Sequence, residues 1–382
     1  MSKKIMFLTG TRADFGHQKS LIDRCIKERY EVFVFITGMH LDNKYGLTIN
    51  EIYKCNYDKI YAAYNHKDCN RGSDTMDEML ASTIFNFSSY VKEVSPDLIV
   101  IFADRFEALA GAIVGALNNI LTIHIQAGDV SGTIDNSIRH AISKLCHAHF
   151  CANKEAKNRL INMGEVEENI FIIGTPGLDV LFFKNLPLIE ESKKKYNIDF
   201  GDYSIFIFHP VTTEIDDIDR QINEVINSIT ESNLNYIVIC PNNDMGSDKI
   251  FKKYKDIKSK NIKVFSSIDH FDFLILLKNA DFIIGNSSCG IIEAPCYGIP
   301  TINIGTRQQG RTSNIKIINC KCDRDEILDA IGHVNETMFY FDYSFGNGCA
   351  SDKFIEILRK DSFWKIKKQK NLNYDVCKTI KN

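Results

Sequence analysis

The sequence predicts an α/β chain made of two similar halves, each with a parallel sheet. Three observations lead there. Short β-branched and aromatic runs alternate with longer segments of helical spacing. The alternation restarts after a polar stretch, Glu190 to Asp202. The chain has 382 residues, and a length of about 2.5 typical domains leaves room for two. Alternating β and α units imply parallel sheets, because a strand that returns in the same direction must cross over through a helix.

In the first half, Lys4 to Thr9, Val32 to Thr37, Leu98 to Phe102 and Leu121 to Ile125 read as strands, and the segments after Thr11, Phe106 and Ser137 read as helices. Each strand is a nearly continuous apolar run, as expected where helices cover both faces of a sheet. In the second half, Ser204 to Phe208, Tyr236 to Cys240, Ile262 to Phe265, Phe282 to Ile284 and Thr301 to Ile304 read the same way. Phe271 to Leu277 reads as the core face of a helix between them. The halves join somewhere between residues 174 and 200.

Composition narrows the function classes. With 44% hydrophobic and 25% charged residues the chain is an ordinary globular protein. A net charge of −3 argues against general affinity for nucleic acid, so any phosphate chemistry must rest on a local pocket. Twelve cysteines are scattered from Cys25 to Cys377 without a CxxC pair, and Met1 to Gly10 has the pattern of a strand rather than of a secretory signal. A reduced, cytoplasmic protein is expected. The longest uncharged apolar stretch, around Ala108 to Leu117, is about half of a bilayer span, so no membrane partner is expected.

In open α/β sheets ligands sit beyond the carboxyl ends of the strands. Those ends are polar here: Gly10-Thr11-Arg12, Gly38-Met39-His40, Ala103-Asp104-Arg105, Gln126-Ala127-Gly128-Asp129, His209-Pro210, Pro241-Asn242-Asn243 and Gly285-Asn286-Ser287-Ser288. Their occurrence in both halves suggests one cleft. Ser287 and Ser288 open a helix that runs on through Ile291 to Cys296, and free N–H groups at such a start attract a phosphate. Glu293, little more than a turn inside it, could bind a ribose diol. Arg12 and His209 stand after strands in opposite halves, and Arg307 and Arg311 follow the last one; these are diphosphate-binding residue types. Asp104, Asp129 and Asp135 lie within 32 residues. Carboxyls gathered in one cleft can divide acid and base roles. Asp135 could equally be the N-cap of the helix carrying Arg139 and His140. Cys146, His147, His149 and Cys151 lack zinc-like spacing and read as packing.

Taken together, Gly10-Thr11-Arg12-Ala13-Asp14, Thr37-Gly38-Met39-His40, Asp104-Arg105, Ser131-Gly132-Thr133-Ile134-Asp135, His209-Pro210, Pro241-Asn242-Asn243-Asp244, Gly285-Asn286-Ser287-Ser288 and Gly305-Thr306-Arg307-Gln308 resemble the hydrolysing UDP-N-acetylglucosamine 2-epimerases of sialic acid biosynthesis over roughly residues 3 to 335. The resemblance implies two Rossmann-like domains facing a cleft, as in GT-B glycosyltransferases. Residues 1–173 would carry the catalytic acids and be completed by a C-terminal helix at about 361–382; residues 174–360 would bind the nucleotide. It implies a homodimer and a reaction with no metal or other cofactor. A base takes the proton from C2 as UDP leaves C1, and water adds to the resulting 2-acetamidoglucal to give N-acetylmannosamine. On this resemblance Asp104 and Asp135 are catalytic acids. Arg12, His209, Ser287 and Ser288 contact the diphosphate, Glu293 and Arg307 lie near the nucleoside, and His40 and Asn242 are also expected to bind the substrate or nucleotide.

The family's third acid stands in a His-x-Glu-Gly-Gly-Glu run, and this chain has His124-Ile125-Gln126-Ala127-Gly128-Asp129. Gln126 keeps the hydrogen-bonding shape but cannot exchange a proton. Asp129 is the candidate to replace it, unless two acids and a water suffice. Phe102-Ala103 replaces a usual His-Gly before Asp104, and His17 stands where some members carry a lysine. The more apolar approach to Asp104 is compatible with a 6-deoxy sugar, such as a UDP- or GDP-linked 2,4-diacetamido-2,4,6-trideoxyhexose of the legionaminic acid route. A GT-B glycosyltransferase and a catalytically weak nucleotide-sugar binder are the alternatives from other classes.

Overall fold

The computed structural model describes residues 2–65, 75–131, 134–182, 186–242, 244–311, 317–334 and 341–370. Gly132, Thr133 and Asn243 of the sequence motifs, and the part of the expected C-terminal helix after Lys370, lie outside the described residues. The chain forms two compact units: one takes Met1–Asp129, Asp135–Phe182 and Ser344–Asn382, the other Phe183–Tyr343 with Val130–Ile134.

The first unit is wound on seven parallel strands: β1 (Lys4–Thr9), β2 (Glu31–Ile36), β3 (Ile60–Ala62), β4 (Leu98–Phe102), β5 (Leu121–Ile125), β6 (Ala148–Cys151) and β7 (Ile170–Ile172). Their spatial order is β3-β2-β1-β4-β5-β6-β7. The order reverses between β1 and β4, whose Phe7 and Val100 are paired. There the chain leaves in opposite directions and a crevice opens at the strand ends. The helices α1 (Arg12–Lys27), α2 (Ile49–Tyr53), α3 (Met76–Val94), α4 (Phe106–Leu117), α5 (Ile134–Leu145) and α6 (Lys154–Asn162) fill the crossovers. α1 begins at a capping box in which Thr11 and Asp14 satisfy each other's backbone N–H groups. α5 starts at Ile134, before the expected Ser137, so Asp135 lies in its first turn rather than capping it.

The second unit repeats the plan with α7 (Ile189–Lys195), β8 (Ser204–Ile207), α8 (Ile218–Glu231), β9 (Tyr236–Ile239), α9 (Ser247–Lys255), β10 (Ile262–Phe265), α10 (His270–Lys278), β11 (Ile283–Gly285), α11 (Cys289–Ile292), β12 (Thr301–Ile304), β13 (Ile318–Cys320) and α12 (Arg324–His333). The order β10-β9-β8-β11-β12-β13 has the same reversal, between β8 and β11. The two parallel α/β sheets expected from the strand pattern are present. The short strands β3, β7 and β13 add edges that the pattern did not indicate.

The chain then returns to the first unit as α13 (Ala350–Leu358) and the single turn α14 (Asp361–Trp364). Asp179 accepts hydrogen bonds from the N–H groups of Ala350 (2.8 Å) and Ser351 (2.7 Å), holding the start of α13. Phe354, Ile355, Leu358 and Phe363 are buried against Ile5, Phe7 and Phe150 of the sheet. Helices α3 and α4 cover the opposite face through Phe87, Val91, Ala108 and Ala112. A fully buried aromatic or leucine side chain contributes about 1.5–3 kcal/mol, so this returning segment is part of the core.

Beyond α14 the chain crosses the end of β6. His147 accepts from the Thr122 N–H (3.0 Å) through Nδ1 and donates through Nε2 to the Lys368 carbonyl (3.0 Å). His149 donates to Glu165 (2.8 Å), and the Lys370 ammonium reaches the same carboxylate at 2.6 Å. His147 and His149 are thus held by hydrogen bonds of the fold. Burial works against ionisation of Glu165, and the hydrogen bond from His149 with the charge of Lys370 overcomes it, holding the carboxyl at about 2. A depressed carboxyl contributes stability above its unfolded value and loses it as pH falls through the folded one. At neutral pH Glu165→Gln is expected to cost on the order of 3 kcal/mol. In urea titrations that deficit should narrow steadily from pH 4.5 toward pH 2, and a pH-independent difference would contradict the assignment.

Candidate functional site

In the first unit the crevice between β1 and β4 collects the charged residues. Backbone geometry at the strand ends does the placing. Ala103 and Gln126, just after β4 and β5, both take left-handed conformations (φ +58° and +60°). A non-glycine residue there costs on the order of 1–2 kcal/mol and needs other contacts to hold it. Arg139 of α5, 1% exposed, provides one. It pairs with Asp104 and donates through Nη1 to the Gln126 carbonyl at 3.0 Å. Asp135 precedes Arg139 by four residues on the same helix face and is half-buried. One buried guanidinium therefore joins two of the sequence-predicted catalytic positions and sits one turn from a third. Asp129, also predicted, is 2% exposed in the loop after β5.

A second cluster lies at the β1 end. Asp14 accepts from the N–H groups of Gly10 (3.2 Å) and Thr11 (3.1 Å). Burial pushes its carboxyl up to about 7, with Arg105 opposing the rise and Glu107 adding to it. Glu107 is fully buried and bonded to Arg105 Nε at 3.2 Å. Its carboxylate fills the space where side chains on Gly10 and Gly38 would sit. A Cβ at Gly38, where φ is +63°, would come within 2.6 Å of Glu107 Oε1, so the position requires glycine. Arg12 opens α1 and pairs with Glu51. His40 lies inside the fold at 0% exposure, its ring between the Thr9 (3.0 Å) and Thr48 (2.7 Å) hydroxyls. Burial, with the Arg12 charge second, pushes its pKa down to about 3.

In the second unit the β8–β11 reversal is closed by Asn286, 1% exposed. Its side chain accepts from the His209 N–H (2.7 Å) and donates to the His209 carbonyl (2.8 Å). Gly285 just before it has φ +132°, and any Cβ would lie 1.9 Å from the Ile207 carbonyl oxygen. The Asn242 N–H donates to His209 Nδ1 at 3.2 Å, which leaves the hydrogen of a neutral ring on Nε2. Asn242 Oδ1 is buried with no hydrogen-bond partner among the described residues. Arg307 (3.2 Å) and Gln308 (2.9 Å) both donate to the Asn286 carbonyl, and Arg311 supports Gln308 at 3.1 Å.

Ser287 and half-buried Ser288 lead into α11. That helix is one turn rather than the continuous run expected to Cys296, because Pro295 enters a tighter turn over Ala294–Tyr297. Glu293 sits at the junction, 5% exposed, its carboxyl raised to about 7 by burial while Arg311 opposes the rise. His209, Asn242, Asn286, Ser287 and Arg307 are thus linked around one strand-order reversal. The sequence reading singled out all of these except Asn286, whose signal was its place directly after the strand. It assigned no role to Glu107 or Arg105, since a carboxylate in the first turn of a helix is unremarkable until the glycines facing it are known.

A sequence profile described as UDP-N-acetylglucosamine 2-epimerase matches residues 24–359. The chain belongs to this family. It is 40% identical over 373 residues to a UDP-N-acetylglucosamine 2-epimerase of Neisseria meningitidis serogroup B, covering 96% of this chain and 98% of the relative. It is 33% identical to the UDP-N,N'-diacetylbacillosamine 2-epimerase (hydrolyzing) of Legionella pneumophila, covering 94% and 96%. Among solved structures, the Methanocaldococcus jannaschii UDP-GlcNAc 2-epimerase in complex with UDP-GlcNAc and UDP superposes with a TM-score of 0.77 at 21% identity, over 93% of this chain and 99% of that one. At that identity the likeness is one of fold, and it agrees with the pair of parallel α/β sheets. No helix among the described residues is long and apolar enough to cross a membrane.

Asn286→Ala removes both bonds to His209 and leaves its backbone groups unpaired. The expected cost is about 2–4 kcal/mol, from two buried polar groups at roughly 1–2 kcal/mol each. Calorimetry should show this as a lower melting temperature, and an unchanged one would contradict the role given to Asn286.

Proposed function

We propose that this protein is a hydrolysing 2-epimerase that converts UDP-N-acetylglucosamine to UDP and N-acetylmannosamine. The observation that carries the reading is the joining of Asp104 and residue 126 by the buried Arg139, on the helix that also bears Asp135. Identity of 40% over nearly the whole length of a Neisseria relative supports the nucleotide sugar.

The chemistry requires a proton to leave C2 while a diphosphate leaves C1, and then a proton and a hydroxyl to return. Asp104, fixed in direction by Arg139, and Asp135, one turn away on the same helix, serve the proton transfers, a role worth typically 10²–10⁴ in rate. Asp104 and Asp135 take these steps. Gln126 holds the sugar by hydrogen bonding, and Asp129, three residues on, takes the third carboxyl's part. In the second unit, Ser287, Ser288, the Nε2–H of His209 and Arg307 receive the departing UDP, whose charge grows as the C1–O bond breaks. Arg12 contributes a further cation, and Asn242 and Glu293 hold the nucleoside.

Incubation with UDP-N-acetylglucosamine in heavy water tests this directly. The expected products are UDP and N-acetylmannosamine carrying deuterium at C2. Unlabelled N-acetylglucosamine would mean simple hydrolysis, and no turnover without an acceptor would favour a glycosyltransferase. Asp104→Asn and Asp135→Asn should each lower kcat by at least 10²-fold while UDP still binds.

A 2,4-diacetamido-2,4,6-trideoxyhexose nucleotide is the second reading. The relative named for UDP-N,N'-diacetylbacillosamine supports it, as does Phe102, buried against the His17 ring at 5.0 Å directly before Ala103-Asp104. A cleft is stabilised most by the ligand it binds tightest. Thermal shifts with the two UDP-sugars and the GDP-linked analogue therefore rank the substrates. A larger shift with the deoxy sugar would replace the leading reading.

A further inference from the structure

Proton-transfer groups need positioning to within a fraction of an ångström, and a misplacement of about 1 Å can cost 10²-fold in rate. The arrangement behind Asp104 supplies such control from an unexpected part of the chain. His124 of β5 is fully buried and lies between two polar partners. Its Nε2 is 2.7 Å from the Ala103 carbonyl, which can only accept, so that nitrogen carries the hydrogen. Its Nδ1 therefore accepts from the Ser143 hydroxyl, at 2.9 Å. Burial drives the imidazole pKa well below its ordinary value, which keeps this single neutral tautomer.

Ala103 is the left-handed residue (φ +58°) whose conformation sets the direction in which Asp104 leaves the strand. Ser143 follows Arg139 by four residues and Asp135 by eight, so one stripe of α5 carries Asp135, the Asp104-binding guanidinium and the His124-binding hydroxyl. The far end of that stripe is tied to the returning chain. Lys370 donates to the Ser143 carbonyl at 2.8 Å and to Glu165 at 2.6 Å, while Lys368 is held by His147. The groups facing His124 from neighbouring elements are Ala103, Ser143, Arg139, His149 of the paired strand and Lys370.

We propose that His124 is the positioning residue for Asp104, and that the chain segment ending at Lys370 completes the site by locking the Ser143 end of α5. This inference rests on Asp104 acting as a catalytic acid. It assigns the residues that link residues 368–370, more than 260 positions after Asp104 in sequence, to the reacting group. The relay is Lys370, Ser143, His124, the Ala103 carbonyl and then Asp104.

The test is a split between kcat and KM. His124→Leu keeps the volume and removes the donor, and should lower kcat roughly 10²-fold with KM and UDP affinity within twofold. His124→Gln places an amide donor near the Nε2 position and should recover at least tenfold of that loss. Ser143→Ala and Lys370→Met should each lower kcat about 5- to 10-fold with the same split. A kcat unchanged in Ser143→Ala, a rise in KM that accounts for the loss, or a Gln variant no better than Leu would overturn the proposal. Should His124→Leu not fold, the Ser143 and Lys370 variants decide it.

Wild-type turnover on the UDP-sugars is measured first, since its absence would overturn the epimerase reading on which the proposal rests. The clamp has its own readout in ¹⁵N NMR of the histidines. His124 should remain in the Nε2-protonated neutral form from pH 8 to pH 5. Titration near 6.5 would overturn the clamp whatever the enzyme's substrate.

Discussion

The reversal of strand order in each sheet is the constraint on which the rest of the molecule depends. At β1 and β4, and again at β8 and β11, neighbouring parallel strands end side by side while their connections part. The exposed strand ends then have to be satisfied by the loops themselves. In the first unit this is done by left-handed residues and a buried arginine, Ala103, Gln126 and Arg139. In the second it is done by a glycine and a buried amide, Gly285 and Asn286. The same topological problem has been solved with charge in one case and with neutral groups in the other.

That difference has an electrostatic consequence. The first unit keeps Asp14 and Glu107 almost fully out of water at its reversal, with Arg105 between them and Arg12 nearby. The buried Glu107 charge is tolerated because Arg105 pairs with it, and the pairing fixes side-chain directions more than it adds stability. The second unit presents backbone N–H groups, hydroxyls and the His209 ring at the equivalent place, with Arg307 held from behind by a carbonyl. A crevice ringed with carboxyls suits proton exchange. One lined by hydrogen-bond donors and a guanidinium suits an anion that arrives and leaves.

Much of this was legible in the sequence because the strands are buried on both faces. Val, Ile and Phe runs such as Leu98 to Phe102 have no other plausible use, and the polar residue directly after each of them marks the functional edge of the sheet. The edges of the sheets were less legible. Ile60–Ala62 and Ile318–Cys320 are three-residue strands with mixed exposure, so their pattern hardly differs from that of a loop. The site residues that escaped notice are those whose meaning depends on a partner distant in the chain. Glu107 means little without Gly10 and Gly38, and Asn286 gains its role from His209, 77 positions earlier. His124 and Ser143 look like packing residues until Lys370 and Ala103 are placed beside them.

Gln126 shows how far framework and reaction are separable in this fold. Arg139 grips residue 126 by its main-chain carbonyl, and the left-handed turn there is a property of the backbone. Exchanging a carboxyl for an amide at that side chain therefore leaves the Asp104–Arg139 geometry and the His124 contact without any reason to move. The exchange removes a titratable group and keeps an acceptor and a donor of similar size. A change confined in this way acts on the proton inventory of the site rather than on its shape. In the proposed reaction a compensating carboxyl is available close in the chain, at Asp129. At 2% exposure in the loop that Gln126 begins, it is buried and near in sequence, and the loop is anchored at Gly128 by Arg159 (3.1 Å).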